Sequence, residues 1–157
     1  MLSVHAAFMA NNTLPDIEFA EFQSWREECA DGTLELEDYL GALVEASGFS
    51  DDGLIALMTI MWPRLTEHEG RVFFESRFDR SQLNDIPEDH HERPDFWLNL
   101  TLVTAWIEEP AKAQLAAQLL TGAWKARLSD AFPQLTFNIE TLVDGDDVAV
   151  TFYRQFV

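Results

Sequence analysis

Apolar residues recur at helical spacing through the first third of the chain. Leu36, Tyr39, Leu40, Leu43 and Val44 fall on one face, with Glu35, Glu37, Asp38 and Glu45 mostly elsewhere, which predicts a helix opened by Thr33 and stopped by Gly48. Before it, Thr13-Leu14-Pro15 supplies a capping hydroxyl and a proline where its missing N–H costs nothing. That predicts a first helix to about Ala30, with Phe22, Trp25 and Cys29 facing inward and Asp31-Gly32 ending it. Ser50-Asp51-Asp52 caps a third helix reaching about Trp62 before Pro63. Leu54 to Trp62 is apolar nearly all round, which predicts a helix central to the core.

After Gly70 the period changes to two. Val72, Phe74 and Phe78 alternate with Arg71, Glu75 and Arg77, and Phe96 to Ile107 reads as a long strand. Pro110 opens an Ala/Leu-rich helix with Leu115, Ala116, Leu119, Leu120, Ala123, Trp124 and Leu128 along its inner side. Leu135, Phe137 and Ile139, then Val148, Val150, Phe152 and Phe156, form a hairpin around Asp144-Gly145-Asp146-Asp147. The expected class is α+β: three N-terminal helices, then a mostly antiparallel β-β-α-β-β unit whose sheet packs on helices. The expectation is a single domain over 1–157, with an acidic helical part at 1–69 and a mixed sheet part at 70–157.

Charge changes this picture more than composition does. The 157 residues carry 28 acidic and 10 basic side chains, for −18 overall. Residues 16–52 alone hold 12 Asp/Glu and one Arg. Such a field repels nucleic acid and anionic membrane and attracts a basic partner. The longest apolar run is too short to cross a bilayer, the N-terminus lacks the positive start of a secretory signal, and there is one Cys, so a cytoplasmic location is expected.

Motifs with specific chemistry are scarce. Glu88-Asp89-His90-His91-Glu92, with Asp95 close behind, pairs imidazole with carboxylate as a metal site does, although consecutive loop residues point in different directions. Glu67-His68-Glu69 could supply a histidine base but reads as a polar turn. Cys29, among Glu27, Glu28 and Asp31, has surroundings that disfavour a thiolate, and its place beside Phe22 and Trp25 reads as core packing. Asp144 to Asp147 lacks the spacing of a calcium loop, and no phosphate-binding glycine loop occurs. No catalytic residue and no cofactor is therefore expected.

What remains is the acidic helical surface. Glu35, Glu37, Asp38, Glu45, Asp51 and Asp52, with Trp25 and Tyr39 as anchors, are the residues expected to engage a basic protein. Immunity and antitoxin proteins, which neutralise a toxin, use this physics. Two other classes fit the sequence: a metal-dependent or acid–base enzyme working through His90 and His91, and a structural subunit that self-associates through the third helix.

Overall fold

The computed structural model describes residues 20–47, 50–86 and 92–156. The expected cap at Thr13, the stop at Gly48 and the His90-His91 pair lie outside these. Helices and two small antiparallel sheets make up the chain, so the class is α+β. Contacts divide it into two compact units, Met1–Leu54 and Ile55–Val157.

The first unit holds α1 (Ala20–Glu28), α2 (Leu36–Ser47) and the start of α3 (Asp51–Met61). Between α1 and α2 the Asp31 carboxylate accepts the Thr33 hydroxyl at 2.7 Å and the Thr33 N–H at 3.0 Å, closing a local turn. Ala30 takes a left-handed φ of 52° just after α1 ends. At the head of α2 the Asp38 carboxylate accepts the Glu35 N–H at 2.8 Å, the returning half of a capping box. Phe22 is buried; Trp25 stacks on it, and Tyr39 packs tilted against both, at centroid distances of 5.4 to 6.3 Å. Cys29 is exposed rather than part of this core. It directly follows the last residue of α1, its N–H still donating to the Trp25 carbonyl at 3.0 Å, and the chain leaves the helix at Ala30.

Ser50 caps α3 as its sequence suggests, its hydroxyl accepting the Gly53 N–H at 3.2 Å. Replacing Ser50 by Ala should destabilise this helix by about 1 kcal/mol. A thermal melt followed by circular dichroism will register the loss, and Ser50→Asp, which keeps an acceptor, should largely avoid it.

The third helix is not central to the core. No residue of it is buried, and Ile55 (60%), Met58 (62%) and, just beyond it, Trp62 (52%) are largely exposed. Only Ile60 packs against the main cluster, because the large helix and the sheet of the second unit already fill it.

The second unit is built around one long helix. After α3 come β1 (Leu65–His68) and β2 (Arg71–Phe74), an antiparallel hairpin whose turn places Glu69 and Gly70 at φ 50° and 76°. Two consecutive positive φ values mark the turn that matches strand twist. A Cβ at Gly70 would also lie 2.7 Å from the end of the Arg154 side chain, which would have to shift. Two short helices follow, α4 (Gln82–Asp85) and α5 (Pro94–Leu98), then β3 (Thr101–Leu102), a 3-10 turn (Val103–Ala105), α6 (Pro110–Ala131), β4 (Phe137–Asp144) and β5 (Asp147–Arg154).

The strand order β3-β5-β4 places β5 in the centre, antiparallel to both neighbours. The final hairpin turns at Gly145, with a φ of 59°, where the Asp-Gly sequence predicts it. Along α6 the buried stripe is Ala113, Ala117, Leu120, Trp124 and Leu128. It overlaps the expected face but is rotated toward the alanines, while Leu115, Ala116, Leu119 and Ala123 are half-buried flanks. Small residues let the helix lie close to the sheet. Trp124 meets Phe74 and Phe152 edge-on at 5.1 and 5.9 Å and donates its indole N–H to the Ile60 carbonyl at 2.8 Å.

Two strand expectations are corrected. The Arg71–Phe78 strand ends at Phe74 and pairs with β1, a segment that reads as a polar turn in the sequence. The long strand expected over Phe96–Ile107 is instead α5, a two-residue strand and a 3-10 turn. Pro94 at the first position of α5 has the φ a helix needs, and a run of apolar residues this short fits a helical turn as well as a strand.

Candidate functional site

Every described acidic side chain of the first unit is exposed: Glu21, Glu27, Glu28, Asp31, Glu35, Glu37, Asp38, Glu45, Asp51 and Asp52. The expected partner-binding acids therefore all reach water, but they do not stand alike. Asp38 is occupied in capping α2, and the Glu35 N–H it caps fixes that corner of the chain. Asp31 is held below the ordinary carboxylate range by the Thr33 hydroxyl first and the Thr33 N–H second. Glu37 and Glu45 lie on α2, while Asp51 and Asp52 form the first turn of α3, where carboxylates suit the helix dipole. Trp25 and Tyr39, the expected anchors, are half-buried against each other and Phe22. The Tyr39 hydroxyl reaches Glu21 at 3.4 Å. Arg26, the single basic residue here, lies over the Phe22 ring at 5.3 Å and donates to Gln23.

In the second unit the polar groups are turned inward and matched. Asp95 is completely buried. Its Oδ1 accepts Arg71 Nη1 at 2.8 Å, and its Oδ2 accepts the Arg154 N–H at 2.8 Å. Both carboxylate oxygens are thereby engaged, which removes Asp95 from the metal set expected around His90 and His91. Among the described residues no group of three or more His, Cys, Asp or Glu converges to hold a metal ion. Arg71 also donates to the Glu92 carbonyl, and Arg154 to the Gly70 carbonyl. The two guanidiniums lie over the Phe156 ring at 4.9 and 4.7 Å.

One turn on, Asn99 is also completely buried. Its carbonyl accepts the Phe74 N–H at 3.2 Å, while its amide donates to the carbonyls of Val72 at 2.9 Å and Phe152 at 3.1 Å. The side chain thus occupies the gap between β2 and β5 as a peptide group of an intervening strand would. Asp95 and Asn99 are spaced i, i+4, so one face of α5 is a polar wedge joining the two sheets. In the sequence the sign of this was a polar pair at helical spacing inside an apolar run, directly after a proline.

His68 ends β1, tilted against the Phe78 ring at 5.3 Å, with its Nδ1 3.5 Å from Arg80 and its Nε2 3.7 Å from Glu69. Glu108-Glu109 precede α6, where Glu109 pairs with Lys112 at 3.0 Å.

Tyr153 is buried on β5 and donates its hydroxyl to Glu140 of β4, with Arg93 over its ring at 5.1 Å. The hydrogen bond to Glu140 is the main cause that raises its pKa above the ordinary tyrosine value, and burial adds to it. A folded pKa above the unfolded one stabilises the protein fully below the unfolded value, and that contribution is lost as pH rises through the folded one. In a Tyr39→Phe background, alkaline absorbance titration should show Tyr153 ionising later than a free tyrosine. Glu140→Gln should shift it back down; an unchanged midpoint would remove Glu140 as the cause.

Comparison of the chain with protein-family models, curated proteins and solved structures gives no match. The class the fold defines is α+β, and among the described residues no helix is long and apolar enough to cross a membrane.

Proposed function

We propose that the chain is a small acidic protein-binding module that engages a basic protein, of the kind that neutralises or inhibits its partner as immunity and antitoxin proteins do. The observation that carries this reading is the charge of residues 16–52, 12 acids against one Arg, with every described acid exposed. A surface of one sign steers an oppositely charged partner into encounter and sets which partners are rejected.

The structure sharpens which acids are available. Asp38 and Asp31 are committed to local turns, so Glu35, Glu37, Glu45, Asp51 and Asp52 supply the contact carboxylates in this reading. Trp25 and Tyr39 act from within the aromatic cluster, through the edges they leave accessible.

Capture from lysate with immobilised chain tests the proposal. The expected partner is basic, is retained at low ionic strength and is released as salt rises, because exposed charge attraction is screened over about 10 Å at 0.1 M. Reversing Glu37, Glu45, Asp51 and Asp52 to Lys together should reduce retention at least tenfold. Because Lys at Glu37, Asp51 and Asp52 also opposes the dipoles of the two helices, neutral Gln and Asn at the same four positions, checked for retained helical circular dichroism, should weaken retention in the same direction. An acidic partner, or one held equally at low and high salt and by the reversed variant, would overturn the reading.

A further inference from the structure

We draw no further inference here: the strongest candidate, the exposed apolar surface of α3 formed by Ile55, Leu57, Met58 and Met61 and continued by Trp62, carries nothing because nothing in the structure shows what covers it.

Discussion

Replacing Asp95 by Ala is expected to lower the unfolding free energy by about 3–5 kcal/mol, the range for breaking a buried ion pair from one side. Three losses combine. Arg71, itself three-quarters covered, is left without its carboxylate. The Arg154 N–H loses its acceptor inside the fold. A small cavity remains under α5. The expected loss is large because the pair is hydrogen-bonded at both oxygens, unlike an exposed pair such as Lys112–Glu109, which contributes about 0–1 kcal/mol. Asp95→Asn keeps an acceptor for the Arg154 N–H but gives up the charge and turns an amide NH2 donor toward Arg71 Nη1, so it should still cost at least about 1–3 kcal/mol. Urea unfolding of the two variants beside the parent measures this. A loss below about 1 kcal/mol for Asp95→Ala would mean that Asp95 does not hold the wedge.

Asn99→Ala is expected to cost about 4 kcal/mol, from three buried backbone partners that each lose about 1–3 kcal/mol when left unpaired, offset in part by water entering the gap. The Phe74 N–H and the carbonyls of Val72 and Phe152 belong to β2 and β5, so the damage falls on the join between the sheets. The more discriminating substitution is Asn99→Asp. A carboxylate could still accept from the Phe74 N–H, but it would face two carbonyl oxygens with no hydrogen to give and would be charged in a buried site. Asn99→Asp should therefore be at least as damaging as Ala near neutral pH and recover partly under mild acid, where the carboxyl can donate. If Asn99→Asp were as stable as the parent, the amide would not be making the two donor contacts.

These two residues mark where sequence reading fell short. The period of α6, its start at Pro110 and the Asp-Gly hairpin of β4–β5 were legible because each is a local signal: a long repeat, a proline with the right φ, a turn residue that tolerates positive φ. The Ser50 cap and the turn at Asp31 were legible for the same reason. The strand expected over Phe96–Ile107 failed because alternation over so few apolar residues does not separate a strand from a turn of helix. What settles α5 as a helix is nonlocal: Arg71, Arg154, Val72, Phe74 and Phe152 supply partners for Asp95 and Asn99 across 24 to 59 residues of chain.

Burial was the second thing local pattern could not decide. The run from Leu54 to Trp62 is the most apolar stretch of the chain, yet its side chains are largely exposed, while two of the most polar positions in the second unit are completely buried. Hydrophobicity favours burial only if a surface is left to bury against. Here the face of α6 and the central strand β5 complete the core without α3. β5 is buried on both faces, Val148, Val150 and Phe152 toward the main apolar cluster and Ala149, Thr151 and Tyr153 on the other. Thr151 donates its hydroxyl to the Phe96 carbonyl of α5, so its burial carries no unpaired group.

For the proposed binding face the division is similar. Sequence alone determined the sign of the surface and where along the chain it lies, because net charge is a sum that folding does not alter. Local turns hold Asp38 and Asp31, whereas tertiary structure packed Trp25 and Tyr39 against Phe22 and left Glu35, Glu37, Glu45, Asp51 and Asp52 facing water. Charge is additive along a chain, whereas the long-range partners of Asp95 and Asn99 are assigned only when distant segments come together, and that is why the first could be read and the second could not.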